Sequence, residues 1–341
     1  MHDGTEEIWI TGDRMTSRRS LITMLGSVAV FGLAQPAIAQ KAKFVTIAYL
    51  ALLRGEDRMS FVREFVKRLG ELGYVEGQSL KFVYRSAEGH PDLLPGLAFE
   101  LAQGTPDVFV TGFGTVAAKA GKAAANGIPV VFMAVGDPVG AGVVDSLAHP
   151  GGDVTGLSDL AAGLQGSRLQ LLRDVVPAAT QIAVLMNPDT PYAALAYKEL
   201  ELAAKTAGIL LKPFEVRKAE DIAPQLEAAK AADGIVVFED PLTFSRRDEI
   251  AARIAQLRLP AVYGFREFAE TGGLMSYGTD HGAQWRRGAE LVDLIVKGTK
   301  PSDIPVEQAT RFELVVNLKT AKALEITLPS TVMVRADYVI E

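Results

Sequence analysis

The sequence predicts an α/β protein with two doubly wound lobes, each built on a parallel sheet, and a cleft between the lobes. Apolar, β-branched runs alternate with helix-like stretches, which is typical of parallel strands covered by helices. The order of these runs in the first half of the chain recurs in the second half, and this repetition indicates two similar lobes. A length of 341 residues, with 48% hydrophobic and 22% charged residues, fits roughly two soluble domains.

The strands are predicted from short apolar runs bounded by turn residues. In the first half these runs are KFVTIAYL, LKFVYRSA, DVFVTG, IPVVFMAV and DVTGLS, and in the second half QIAVLMN, ILLKPFEV, GIVVFED, LPAVYGF and GLMSYG. Helices are predicted where apolar residues recur every three or four positions, as in MSFVREFVKRLGELG. After Gly278 a helix-like stretch, a strand FELVVNL and terminal helical segments must return to the lobes already formed.

The first 39 residues are predicted to be an extension and a cleavable signal peptide. In SRRSLITMLGSVAVFGLAQPAIAQ two arginines precede an uncharged core that is short for a bilayer span, and small residues precede the expected cleavage after Ala39. The same arginines resemble a twin-arginine export motif, so this route and the general secretory route both stay open. The start of the native chain at Met1 or at Met15 is equally open. We expect a periplasmic protein.

Composition excludes several classes of function. The net charge of −6 gives no support to nucleic-acid binding. The absence of cysteine excludes disulfides, thiol nucleophiles and a lipid-modified N-terminal cysteine. The four histidines are scattered and form no spacing typical of a metal site or a catalytic triad. We therefore expect no metal site and no catalysis by a cysteine or a histidine triad, and we expect no cofactor.

Polar residues follow the predicted strands, at the sheet edge where open α/β sheets bind ligands. Asp137-Pro138 and Asp240-Pro241 each predict a helix N-cap, and a capping carboxylate still has an oxygen for a ligand ammonium. The predicted helix start at Thr115 has backbone amides that suit a ligand carboxylate. Together these features would fit a zwitterionic amino acid.

The segment GFGTVA, residues 112–117, matches the spacing of a dinucleotide-binding fingerprint. It follows the third strand rather than the first, and a chain with 32 glycines produces such spacings by chance. An exported NAD(P)-dependent oxidoreductase is therefore kept as an alternative.

Four long blocks of the sequence together resemble a known family. They are LGELGYVEGQSLKFVYRSAEGHPDLLPGLAFEL, AVGDPVGAGVVDSLAHPGGDVTGLSDL, LPAVYGFREFAETGGLMSYG and IPVEQATRFELVVNLKTAKALEITLP. The chain resembles the substrate-binding proteins of ABC transporters, in the group that includes tryptophan- and tyrosine-binding members. The resemblance implies a type I periplasmic-binding-protein fold with two Rossmann-like lobes, three crossovers and a ligand in the cleft.

The resemblance also implies how the protein works and how it is divided. A monomer would capture a small solute without catalysis and deliver it to an ABC permease in the inner membrane. The N-terminal lobe would comprise residues 40–157 and about 279–310, and the C-terminal lobe residues 158–278 and about 311–341. A binding protein that serves a membrane sensor would share this fold and stays open as a further alternative.

By analogy with the aromatic amino-acid-binding members, the resemblance places ligand contacts at the ends of several strands. These residues are Thr111, Phe113, Gly114, Thr115 and Asp137 in the first lobe, and Ser158, Asp159, Asn187, Asp240 and Phe265 in the second. The first loop, LALLRGEDRM, has no aromatic side chain to stack on an indole, and Phe113 stands where many relatives carry a small residue. The expected ligand is therefore an amino acid or another carboxylate-bearing solute rather than tryptophan in particular.

Overall fold

The structure is a computed structural model that describes residues 44–55, 59–159 and 161–341. The predicted signal peptide in residues 1–39 lies outside the described residues. Within the described part of the chain, no helix is both long enough and apolar enough to cross a membrane.

The strands of the described residues form two separate sheets. In chain order they are β1 Val45–Ala51, β2 Leu80–Ser86, β3 Val108–Phe113, β4 Val130–Val135, β5 Val154–Ser158, β6 Gln181–Met186, β7 Leu210–Glu215, β8 Gly234–Val237, β9 Ala261–Tyr263, β10 Met275–Thr279, β11 Glu307–Gln308, β12 Phe312–Asn317 and β13 Tyr338–Ile340. The first sheet has the order β11-β5-β4-β3-β1-β2, and the second has the order β13-β12-β10-β9-β8-β6-β7.

The two sheets repeat one topology. The strand order 5-4-3-1-2 of the first sheet corresponds to 10-9-8-6-7 in the second. Neighbouring strands are parallel throughout, except that β10 and β12 are antiparallel. The predicted α/β fold with two similar lobes on parallel sheets is confirmed, and each of the apolar runs predicted as a strand forms one.

Helices cover both sheets. In chain order they are α1 Ser60–Glu71, α2 Leu94–Gln103, α3 Thr115–Ala125, α4 Gln165–Val175, α5 Pro191–Ala207, α6 Ala219–Ala229, α7 Pro241–Ser245, α8 Arg247–Gln256, α9 Arg266–Glu270, α10 His281–Val296, α11 Leu318–Ala323 and α12 Ser330–Met333. Local sequence explains several of their ends. The long helix α5 begins with proline at its first position and ends before Gly208 in the left-handed conformation, as such termini commonly do.

Strand alternation divides the core of the first lobe into two layers. Val108 and Val110 of β3 pack on the face that is covered by α1 and α10, together with Phe65 and Trp285. Phe109 between them points to the opposite face, which α2 and α3 cover. This two-sided burial explains why the strands are continuous apolar runs.

The chain passes between the sheets three times, after β5, after β10 and after β11. These linking segments lie side by side, because the Asp280 amide donates to the Arg311 carbonyl at 3.0 Å and the Ala309 amide donates to the Ser158 carbonyl at 3.0 Å. Helix α10, which follows β10, packs back on the first lobe through the Phe61 and Trp285 rings, 4.6 Å apart. The exact division of the chain into lobes stays a prediction.

Candidate functional site

A cavity of about 110 Å³ lies between the two lobes at the carboxyl ends of their strands. The first lobe lines it with Phe113–Val116 and with Ala134 and Gly136, and the second lobe with Thr190, Tyr192, Glu239–Pro241, Phe244 and Phe265. Asp159, on the first segment that links the sheets, also lines it. One water molecule needs about 10–15 Å³ of cavity volume, so a cavity of about 110 Å³ has room for a small solute.

A β-bulge at Gly112 aims Phe113 into this cavity. Thr111 pairs with Phe132 of β4, but Phe113 pairs with the very next residue of β4, Met133, so β3 carries one extra residue. Regular alternation would put Phe113 on the face of Phe109 and Thr111. The bulge moves its ring to the face of Val108 and Val110 instead. Bulges of this kind re-aim side chains next to functional sites.

A second register shift lies beside the first, at the end of β4. Phe132 pairs with Gly156 and Val135 with Ser158, so β4 also gains a residue relative to its neighbour. Ala134 there has φ of 49°, a left-handed conformation that is unfavourable for a residue with a Cβ atom. Ala134 lines the cavity, and the bulge at Gly112 directly precedes the lining residue Phe113. Local strain of this kind tends to cluster at functional sites.

The N-terminus of α3 opens into the cavity. Its cap is Gly114 with φ of 91°, a conformation that suits glycine, and no side chain caps the helix at this end. The first turn of α3 contains no acidic residue. Because the first amides of a helix lack intrahelical acceptors and carry the positive end of the helix dipole, Thr115 and Val116 present an anion-binding surface.

Opposite α3, a buried ion pair fixes Glu239 in the cavity wall. Arg168 binds Glu239 with two parallel contacts, one of them 2.6 Å from Nη1 to Oε2, and its Nε donates to the Tyr277 carbonyl at 2.7 Å. The Tyr192 hydroxyl donates to Glu239 Oε2 at 2.5 Å and accepts from Gln165 Nε2 at 2.8 Å. Burial opposes the charge on Arg168, but Glu239 outweighs it and raises the pKa of the guanidinium.

Asp159 forms a second buried network near the linking segments. The Thr279 hydroxyl donates to its Oδ1 at 2.5 Å, and His281 Nε2 lies 3.3 Å from its Oδ2. Burial opposes ionisation of Asp159, but His281 and Thr279 outweigh it and lower the pKa of the carboxyl group. Burial likewise disfavours the charged imidazole, yet Asp159 raises the pKa of His281.

In the described part of the chain, Asp240 is held by neutral donors only. Its Oδ1 accepts from the Leu242 amide at 2.7 Å, which caps α7 as predicted, and both carboxylate oxygens lie 3.3–3.4 Å from Asn187 Nδ2. Burial raises the pKa of Asp240, and no cation of the described residues opposes this effect. Among the described residues no group of three or more histidine, aspartate or glutamate side chains could hold a metal ion.

The structure brings most of the residues expected to contact ligand to one cavity. The residues that line it are Phe113, Gly114, Thr115, Asp159, Asp240 and Phe265. Asn187 reaches it through Asp240, whereas Thr111 and Ser158 are buried in the sheet outside the lining.

Asp137, which was expected to face the ligand, is exposed and lies outside the cavity lining. Its Oδ1 accepts from the Gly140 amide at 2.8 Å, but residues 138–142 form a turn rather than a short helix. The chain turns back over the end of α3 here, since Lys122 of that helix donates to the Val143 carbonyl at 2.8 Å. The capping motif alone therefore does not place a carboxylate in the cleft.

Four residues of the two buried networks were assigned no role from the sequence: Arg168, Tyr192, Glu239 and His281. Glu239 had a usable signal, because it lies two residues after the end of β8 and directly precedes Asp240. Tyr192 lies in the first turn of α5, also at the carboxyl end of a strand. Arg168 and His281 had no local signal, because their partners Glu239 and Asp159 are 71 and 122 residues away in the chain.

Comparison with known proteins identifies the family. The sequence pattern of the family described as ABC transporter substrate binding protein matches residues 46–340. The chain belongs to this family. It is 25% identical over 288 residues to a tyrosine-binding protein of Clostridioides difficile (strain R20291). This alignment covers 84% of this chain and 82% of that one.

Two solved structures of similar proteins share the fold. A conserved domain protein from Vibrio cholerae O1 biovar eltor str. N16961 is 30% identical, with a TM-score of 0.82 over 87% of this chain and 100% of that one. An ABC domain from Streptococcus pneumonia in complex with L-Trp is 25% identical, with a TM-score of 0.78 over 86% of this chain and 100% of that one. The predicted type I periplasmic-binding-protein fold is confirmed.

Proposed function

We propose that this substrate-binding protein captures a zwitterionic amino acid in the interlobe cavity and delivers it to an ABC permease, without catalysis. One observation carries the proposal. The uncapped N-terminus of α3 and the carboxylate of Asp240, which has no cationic partner among the described residues, line the same cavity from opposite lobes. A ligand with a carboxylate and an ammonium would complement both, and would link the lobes as it binds.

The carboxylate of the ligand would bind at Thr115 and Val116. Backbone amides at a helix N-terminus bind anions through hydrogen bonds and the helix dipole. Leu53, Phe113 and Phe265 also line the cavity, and electrostatic interactions beside apolar groups are stronger than in bulk water. Charge-assisted hydrogen bonds of this kind are roughly twice as strong as neutral ones.

The ammonium of the ligand would bind at Asp240. Three carboxylates line the cavity, those of Asp159, Glu239 and Asp240. Arg168 pairs with Glu239, and His281 Nε2 lies against Asp159, so each of these two carboxylates has a basic side chain beside it. Asp240 has no such basic side chain beside it among the described residues, and a ligand ammonium would supply the positive charge there. This assigns to Asp240 the role that the sequence analysis gave to Asp137.

The family supports the remaining parts of the proposal. Relatives include a protein named as tyrosine-binding and a structure in complex with L-Trp, so amino acids are cargo for similar folds. The transporter class supports delivery to a permease in the inner membrane. We propose that a monomer acts in the periplasm after export, by either of the two routes that the N-terminal sequence leaves open.

A thermal-shift experiment tests this function. The protein is unfolded and refolded to strip bound ligand, then melted with a panel of amino acids, their decarboxylated amines, their deaminated acids, sugars and nicotinamide nucleotides. Ligand at 100 times its dissociation constant stabilises by about 2.7 kcal/mol and should raise the melting temperature by several degrees.

We expect only compounds with both charged groups to shift the melting temperature. Equal shifts with an amine or an acid alone would refute the two-ended arrangement. A shift only with nicotinamide nucleotides would favour the oxidoreductase instead.

A further inference from the structure

We infer that Phe113 determines ligand specificity by limiting the cavity to amino acids with compact, branched aliphatic side chains, in preference to tyrosine and tryptophan. This inference rests on the proposed function and names the substrate class of the same site. The size limit on the ligand is attributed to one side chain, and the β-bulge in β3 sets the position of that side chain.

The bulge at Gly112 makes Phe113 part of the cavity wall. In a regular strand the ring would lie on the side of Phe109 and pack beneath α3. In the structure it belongs to the other core layer, is 6% exposed, and projects at the end of β3 into the space between the lobes. The backbone thus directs a large aromatic ring into volume that ligand would otherwise occupy.

The ring of Phe113 is held in place by aromatic neighbours from both lobes. Its ring centroid lies 5.2 Å from Phe61, 4.9 Å from Trp285, 4.8 Å from His281, 5.5 Å from Phe265 and 6.3 Å from Phe244. Phe61 and Trp285 are themselves almost fully buried. Since close-packed interiors resist rearrangement, Phe113 cannot move aside for a larger ligand without breaking these contacts.

The space that remains is small and largely apolar near this ring. Its volume of about 110 Å³ is well below the roughly 300–1,000 Å³ typical of pockets for larger ligands. Leu53, Phe244 and Phe265 line it together with Phe113. An aliphatic ligand side chain would pack well against this apolar lining. The phenol of tyrosine or the indole of tryptophan is larger and carries a polar group that needs a hydrogen-bond partner.

Calorimetric titration of the full chain, stripped of ligand, tests the inference with L-valine, L-leucine, L-tyrosine and L-tryptophan. We expect the wild-type protein to bind L-leucine or L-valine at least tenfold more tightly than either aromatic amino acid. Phe113→Ala should lower the ratio of the Kd for L-tryptophan to the Kd for L-leucine at least tenfold. Phe113→Leu, which keeps a buried apolar side chain, should lower it by a smaller factor.

The matched control is Phe109→Ala, the same substitution in the same strand but on the opposite face. It should leave the ratio within threefold of wild type. A wild-type protein that binds L-tryptophan as tightly as L-leucine would overturn the size limit and leave the proposed function standing. An unchanged ratio in both Phe113 variants would also overturn it. If no amino acid binds, the proposed function fails, and this inference fails with it.

Discussion

The buried ion pair of Arg168 and Glu239 allows a quantitative test of how the cavity wall is built. The side chain of Arg168 is 0% exposed and that of Glu239 is 9% exposed. Replacing Arg168→Met would leave Glu239 without its cation and the Tyr277 carbonyl without this donor. Breaking a buried pair by removing one partner costs about 3–5 kcal/mol, so we expect the free energy of unfolding to fall by that amount.

Glu239→Gln and the double variant test whether the loss of stability comes from the ion pair itself. Glu239→Gln should also destabilise, because it leaves the guanidinium buried without its counterion. The double variant should be less destabilised than the sum of the single variants, by at least about 2 kcal/mol, since it leaves no uncompensated charge.

The control is Arg217→Met on the surface. The Arg217 side chain is 51% exposed and pairs with Asp189 and Glu215, which are also exposed. Exposed pairs contribute about 0–1 kcal/mol, so this variant should lose no more than about 1 kcal/mol.

The assay is urea unfolding of residues 40–341, followed by tryptophan fluorescence and by far-UV circular dichroism. Of the two tryptophans only Trp285 lies in this segment, so its fluorescence reports on the buried aromatic cluster at the site. Coincident transitions by both methods establish that one free energy describes the change. A loss below 1 kcal/mol in Arg168→Met, or strict additivity in the double variant, would refute the reasoning.

Three further predictions concern two residues of the cavity lining, Asp240 and Ala134, and the buried Glu313 of β12. Asp240→Asn, which keeps the cap of α7, should weaken amino-acid binding at least tenfold by equilibrium titration, whereas Asp137→Asn should change it less than threefold. Burial raises the pKa of Glu313 to about 7, so between about pH 4.5 and 7 the folded state retains a proton that the unfolded state loses. The free energy of unfolding should therefore fall as pH rises through this window, by up to about 3 kcal/mol. This pH dependence should disappear in Glu313→Gln and persist in the control Glu325→Gln, which changes an exposed side chain. The opposite pattern would contradict the assignment to Glu313. Ala134→Gly should raise the free energy of unfolding by about 1 kcal/mol in urea melts, because glycine adopts φ of 49° without strain; a loss of stability would show that the Cβ contacts matter more.

The identical local motifs at Asp137 and Asp240 show how far sequence analysis of the site can go. Both are aspartate-proline pairs directly after an apolar strand, and both carboxylates accept a nearby backbone amide. Only Asp240 begins a helix and lines the cavity. The local capping chemistry was predictable, but which carboxylate faces the cleft depends on where the neighbouring segments pack.

The sequence by itself determined the architecture: the strands, their covering helices and the repetition of one unit are set by apolar runs and periodic stripes that depend only on neighbours in the chain. The tertiary structure alone decided the chemistry of the cavity. The bulge at Gly112, the strained backbone of Ala134 and the pairing of Arg168 with Glu239 depend on strand register and on contacts between distant residues. A shift of one residue in register reverses which face a side chain occupies, and local periodicity carries no signal of it.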